Sequence, residues 1–150
     1  MRTIILSLKP APFEQMIAGI KKHEFRRKFM DEPVQAFIYV SSPVKAIRAY
    51  AEFGIPIADT PERLGHIAEQ EGTGTAGGIA DYLDGLEHGY ALPVRLIREI
   101  EPISLDELRT AFQFTPPQSY CRISAYPGLS DTLFERLRRA QSEGLSSISD

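Results

Sequence analysis

Between residues 19 and 28 the chain reads Gly-Ile-Lys-Lys-His-Glu-Phe-Arg-Arg-Lys, and five of the last eight side chains are cationic in a protein of net charge −3. So much charge over the length of a strand does not suit a core. Extended over residues 22–27, the segment puts Lys22, Glu24 and Arg26 on one face and His23, Phe25 and Arg27 on the other. On that reading Lys21, Glu24 and Arg26 line a cleft. Its arginine forks onto a phosphate or a base edge, and its carboxylate accepts from an exocyclic amine. The plainer reading pairs Glu24 with Arg26 at the surface, where the contact is worth little.

Two further polar residues fall in apolar register. Lys45 alternates with Ile47, Ala49, Ala51 and Phe53, and Ser119 with Cys121 and Ile123. An amine turned inward loses water, which favours its neutral, nucleophilic or basic form. With its stem packed and its ammonium in water, the same lysine does no chemistry. Hydroxyls at Ser119 and Tyr39 can position a phosphate or transfer a proton. The three histidines lack metal-ligand spacing, and Cys121 stands alone in a strand segment as inert core. No metal, cofactor or disulfide is expected, and no nucleophile elbow is visible.

The elements that must hold these residues can be read in turn. Thr3 to Leu8 is a buried strand; Pro10 and Pro12 open a helix that Gly19 stops. Gln35 to Ser42 alternates as a strand, Ser42-Pro43 breaks it, and Val44 to Phe53 returns as its hairpin partner. Thr60-Pro61 caps a helix to about Gln70, and Gly72 to Gly78 reads as a plain linker without the lysine of a phosphate loop. A short helix through Ile79, Tyr82, Leu83 and Leu86 follows, then a strand over Gly89 to Ile97, with Pro93 marking an edge or a bulge. Ser104 to Glu107 fits a capping box, Pro116-Pro117 is rigid and extended, Ser119 to Ser124 is the last strand, and Ser130 starts a closing helix. The polar end, 142–150, is expected to fray. Strands and helices mix without regular alternation, so the fold class is α+β, or a small barrel of mostly antiparallel strands with attached helices.

Length fits a single domain over 1–150. No apolar run is long enough to span a bilayer, which with the lone cysteine points to the cytoplasm. Residues 1–50 carry nine Lys/Arg against four Asp/Glu, and residues 51–110 carry four against twelve. A uniformly basic nucleic-acid binder is therefore excluded, while a local basic surface is not.

Four segments together resemble the ASCH domain family of the PUA-like superfamily. They are Ser7-Leu8-Lys9-Pro10, Gly19-x-Lys21-x-x-Glu24-x-Arg26, Tyr39-Val40-Ser41-Ser42-Pro43-Val44-Lys45 and Pro116-Pro117-Gln118-Ser119-Tyr120. The resemblance implies a PUA-like β-barrel with surrounding helices and a cleft on one side. It places Lys21, Glu24, Arg26, Ser42, Lys45 and Ser119 on that cleft, with Gln118 beside them. It also implies a partner: single-stranded RNA or a nucleotide-like ligand. Three functions follow as expectations. In the first, Arg26, Lys21 and Lys9 hold phosphates and Tyr39, Lys45 and Ser119 cleave RNA without a metal. In the second, Lys21 and Glu24 serve an amidohydrolase acting on an acetylated nucleoside. The family branch with that activity carries threonine where this chain has Glu24, so a hydroxyl is missing. In the third, the domain is a non-catalytic RNA-binding transcriptional co-regulator.

Overall fold

A computed structural model describes residues 1–149, with side chains through residue 143. The frayed end expected for 142–150 lies largely outside the described residues. Seven strands form one curled, mixed sheet: β1 (Arg2–Leu8), β2 (His23–Arg26), β3 (Val34–Val40), β4 (Ala46–Phe53), β5 (Ile57–Asp59), β6 (Gly89–Ser104) and β7 (Tyr120–Arg122). Five helices attach to it: α1 (Pro10–Ile17), α2 (Pro61–Glu71), α3 (Ala76–Tyr82), α4 (Leu105–Phe112) and α5 (Leu129–Ser149). Among the described residues, no helix is long and apolar enough to cross a membrane.

The strand order is β2-β6-β4-β3-β1-β7, with β5 also on β6. β1 and β3 run parallel and every other pairing is antiparallel. The result is an α+β half-barrel whose two ends, β2 and β7, share no ladder. β6 spans sixteen residues, well past the expected Ile97, because it serves two neighbourhoods. Its first residues pair with β2 and β5, and the rest pair with β4.

Burial on both faces explains the near-continuous apolar runs of β1 and β3. Ile4, Leu6, Ile38 and Val40 pack with Phe13 and Met16 of α1 inside the curl. Ile5, Phe37 and Tyr39 pack on the other face with Leu105, Leu108 and Leu133 of α4 and α5. A third, smaller core joins Phe25 of β2 and Ala91 of β6 to Leu64, Ala68 and Leu83 of the α2–α3 pair.

Local signals set most boundaries. Proline occupies the first turn of α1 and of α2; Thr60 and Ser104 cap α2 and α4 by accepting from Arg63 and Glu107 amides. Gly72 ends α2 in the left-handed region at φ 80°. The glycine-rich stretch read as a linker to Gly78 is shorter than expected. Thr75 caps α3, so the helix takes in Ala76, Gly77 and Gly78.

One register shift matters for the site. Ile38 pairs with Ala49, but Tyr39 pairs with Ile47, leaving Arg48 as the extra residue of a bulge. Ile47 therefore joins the core under α4 and α5, while Ala49, Ala51 and Phe53 face α1. The alternation that placed Lys45 on an inward apolar face does not survive this switch. Lys45 precedes β4 at φ 51° and is exposed.

The α2–α3 pair depends on a close backbone approach. A Cβ at Gly65 would lie 2.6 Å from the Ala76 carbonyl oxygen and 2.9 Å from its Cα. Gly65→Ala is expected to cost about 1–3 kcal/mol in chemical denaturation. A variant as stable as the parent would show that the two helices do not pack this closely.

Candidate functional site

The strand ends and the 116–118 segment enclose a cavity of about 560 Å³. Its walls include Ser7 and Leu8 at the end of β1, Lys9 beyond it, Glu24, Phe25 and Arg26 of β2, Tyr39 of β3, Ser41 just past that strand, and Pro116, Pro117 and Gln118. Ile79 and Tyr82 of α3 complete it.

At its floor lies a charged cluster. Among the described residues, Lys21, Glu24 and Arg26 are the buried charged ones, at 7%, 7% and 9% exposure. Glu24 and Arg26 share a strand face two residues apart, and Arg26 Nη2 donates to Glu24 Oε2 at 2.9 Å. The same nitrogen donates to the Ser7 carbonyl at 2.9 Å, while Nη1 donates to Ser119 Oγ at 3.1 Å. Arg26 thus spans β2, β1 and the residue before β7. The other carboxylate oxygen of Glu24 accepts from the Phe25 amide at 3.2 Å and lies 3.4 Å from the Lys21 ammonium. Arg26 Nε is buried with no hydrogen-bond partner among the described residues.

The expected site residues therefore separate into groups. Lys9, Glu24, Arg26, Tyr39 and Gln118 line the cavity. Ser119 is tied to it through Arg26. Lys21 does not line it, because its ammonium sits behind Glu24 and 5.1 Å from the centre of the Phe25 ring. Ser42 and Lys45 are exposed on the turn after β3, where Ser41 takes the lining position expected of Ser42. The desolvated amine expected of Lys45 is not found, because the bulge and the left-handed backbone carry it to the surface. Arg26 also differs from expectation: most of its fork is spent on Glu24, Ser7 and Ser119.

Other cavity residues are not singled out as site residues by the sequence. Ser7 Oγ donates to the Pro117 carbonyl at 2.7 Å, pinning the extended segment that forms one wall. Ile79 and Tyr82 come from a helix whose distance along the chain hides its place at the site.

Two ionisable groups are shifted in ways that bear on chemistry. Burial raises the Tyr39 hydroxyl above its ordinary value, opposed by the positive charge of Arg109, an exposed residue of α4. Tyr39 therefore keeps its proton through neutral pH and can act as a donor. Burial likewise raises the Cys121 thiol, which leaves it a poor nucleophile. His23 Nδ1 meets a Glu71 carboxylate oxygen at 2.9 Å, away from the cavity lining.

No protein-family model matches the chain. Over 118 residues it is 30% identical to an ASCH domain-containing ribonuclease from Zymomonas mobilis, covering 77% of this chain and 80% of that protein. The crystal structure of ASCH from Zymomonas mobilis superposes with a TM-score of 0.72 at 27% identity, covering 81% of this chain and 87% of that one. The N-terminal domain of Staphylothermus marinus McrB shares the fold alone, at a TM-score of 0.56 and 11% identity over 89% of this chain and 93% of that one.

Two outcomes follow from the geometry. Glu24→Ala leaves Lys21 and Arg26 buried without their counter-charge and is expected to cost about 3–5 kcal/mol in denaturant titration. Tyr39 has a folded-state pKa raised above 10.0, and burial with the Glu52 carboxylate raises Tyr50 as well. The unfolded chain then releases these protons first, so their contribution is complete below about pH 10 and is lost as pH rises through the folded values. Tyr39→Phe should flatten that alkaline decline; an unchanged slope would mean that its hydroxyl is not desolvated.

Proposed function

The chain belongs to the ASCH domain family, and from that premise we propose that it binds single-stranded RNA and cleaves it by attack of the ribose 2′-hydroxyl. The observation that carries this reading is a proton-retaining Tyr39 in a nucleoside-scale cavity beside exposed cations. The cavity volume of about 560 Å³ falls in the range of small-ligand sites. Lys9 lies on its lining, Lys45 on the turn beyond Ser41, and Arg109 within electrostatic reach of Tyr39. The Zymomonas mobilis relative, named a ribonuclease, supports the same class of chemistry.

In this scheme Lys9, Lys45 and Arg109 hold phosphates around the mouth. The Glu24 carboxylate faces the base and accepts from its exocyclic amine, as the cavity-lining position allows. The 2′-oxygen attacks phosphorus and its proton leaves to water. The bond from phosphorus to the 5′-oxygen breaks, and Tyr39 gives its proton to that oxygen. The products are a 2′,3′-cyclic phosphate and a 5′-hydroxyl, and tyrosinate recovers its proton from water. Ser119 acts at one remove, by orienting Arg26.

The amidohydrolase reading has less support. It needs the Lys21 amine at the substrate, whereas that ammonium packs on Glu24 and Phe25 behind the cavity lining.

Incubation of the protein with single-stranded RNA in chelator, with product analysis, tests the proposal. Cleavage should yield cyclic phosphate ends, and an all-2′-deoxy strand should survive. Tyr39→Phe should lower kcat by about 100-fold or more while leaving affinity nearly unchanged. Binding should weaken as salt rises, with a smaller salt slope in Lys45→Ala. Cleavage of the deoxy strand, or full activity in Tyr39→Phe, would contradict the mechanism; salt-dependent binding without turnover would make the domain a binding module.

A further inference from the structure

The α3 helix supplies a cavity wall for which the chemistry above has no use. Tyr82 lines the cavity yet remains 46% exposed, and α3 has no buried residue of its own. A large aromatic side chain held half in water is poorly repaid by packing. Its backbone is nonetheless firmly placed. Arg27, next to Arg26 on the chain, donates through Nη1 to the Tyr82 carbonyl at 2.7 Å and to the Asp84 carbonyl at 3.2 Å. Leu83, the next residue, is fully buried in the small core that also contains Phe25. At the other end, Ala76 rests against Gly65 of α2. Tyr82 is thus fixed to the strand that carries Glu24 and Arg26, with its ring side left open.

Resting on the RNA reading, we propose that Tyr82 is the stacking residue of a subsite for an unpaired nucleobase, whose hydrogen-bonding edge meets Glu24. A π-face from one wall and a hydrogen-bonding group from another is the usual way that proteins take single-stranded bases. A paired base within a duplex cannot enter such a recess, so the subsite selects single strands over duplex. Arg27 is a positioning residue, acting on the base only through the Tyr82 backbone.

The chain contains no tryptophan, so Tyr82→Trp creates a single indole reporter at the wall. Its emission should be quenched by a short single-stranded oligoribonucleotide and not by an abasic strand of equal charge. Tyr82→Ala should weaken binding of the same oligonucleotide by about 10-fold or more at fixed salt. Its salt slope should equal that of the parent, because no phosphate contact is lost, and Tyr82→Phe should bind as the parent does. Parent-like affinity in Tyr82→Ala, or an indole that stays unquenched while RNA binds, would overturn the subsite and leave the RNA reading intact. Failure of the parent itself to bind RNA at low salt would remove the RNA reading, and the subsite with it.

Discussion

The fork of Arg26 holds together two ends of a sheet that share no backbone ladder. Its donors reach Glu24 on β2, the Ser7 carbonyl on β1 and the Ser119 hydroxyl before β7. Taking three charged side chains out of water costs several kcal/mol for each ion, and mutual pairing offsets this only when geometry and extra hydrogen bonds are good. Here Glu24 sits between two cations and also takes the Phe25 amide. Among the described residues, the buried Nε of Arg26 has no hydrogen-bond partner. An apolar seam would serve stability at least as well. What the charged one adds is a fixed polar floor in a cavity whose other walls are largely leucine, phenylalanine, tyrosine and proline.

The sheet supplies the second condition. With both faces of β3 covered, its end can present Tyr39 from a buried position, and burial keeps the hydroxyl protonated. The bulge at Arg48 lies opposite the Ile38–Tyr39 step. It lets Ile47 cross to the core under α4 and α5 and leaves Lys45 in solvent, separating the buried Tyr39 hydroxyl from an exposed cationic side chain. Thus packing desolvates the Tyr39 hydroxyl and leaves the Lys45 side chain in water.

Much of this was legible from residue order, and the gaps have physical causes. The period-2 pattern placed Glu24 and Arg26 on one face, and proline, glycine and capping side chains marked most helix ends because each acts on its own backbone. Of the short segments that carry the family resemblance, Lys9, Glu24, Arg26, Tyr39 and Gln118 meet on the lining and Ser119 lies just behind it, while Lys21, Ser42 and Lys45 do not reach it. A bulge has no such local mark, so the alternation through Lys45 runs straight across it. The spacing turns Lys21 toward the ligand, and nothing in it shows that the side chain folds back onto Glu24. In the sequence Tyr82 and Ile79 form only a helix stripe, since their place at the cavity depends on how α2 and α3 dock on β2 and β6.

If the Arg26 fork closes the sheet, its loss should be felt at β7 before anywhere else. Native-state hydrogen exchange on an Arg26→Met variant measures this directly. The amides of Tyr120 to Arg122, and that of Ser7 bonded to the Ser119 carbonyl, should exchange at least about tenfold faster than in the parent. The β3–β4 ladder should keep its protection. Unchanged protection along β7 in a folded Arg26→Met protein would contradict the account, because the two ends of the sheet would then be held together by something other than that guanidinium.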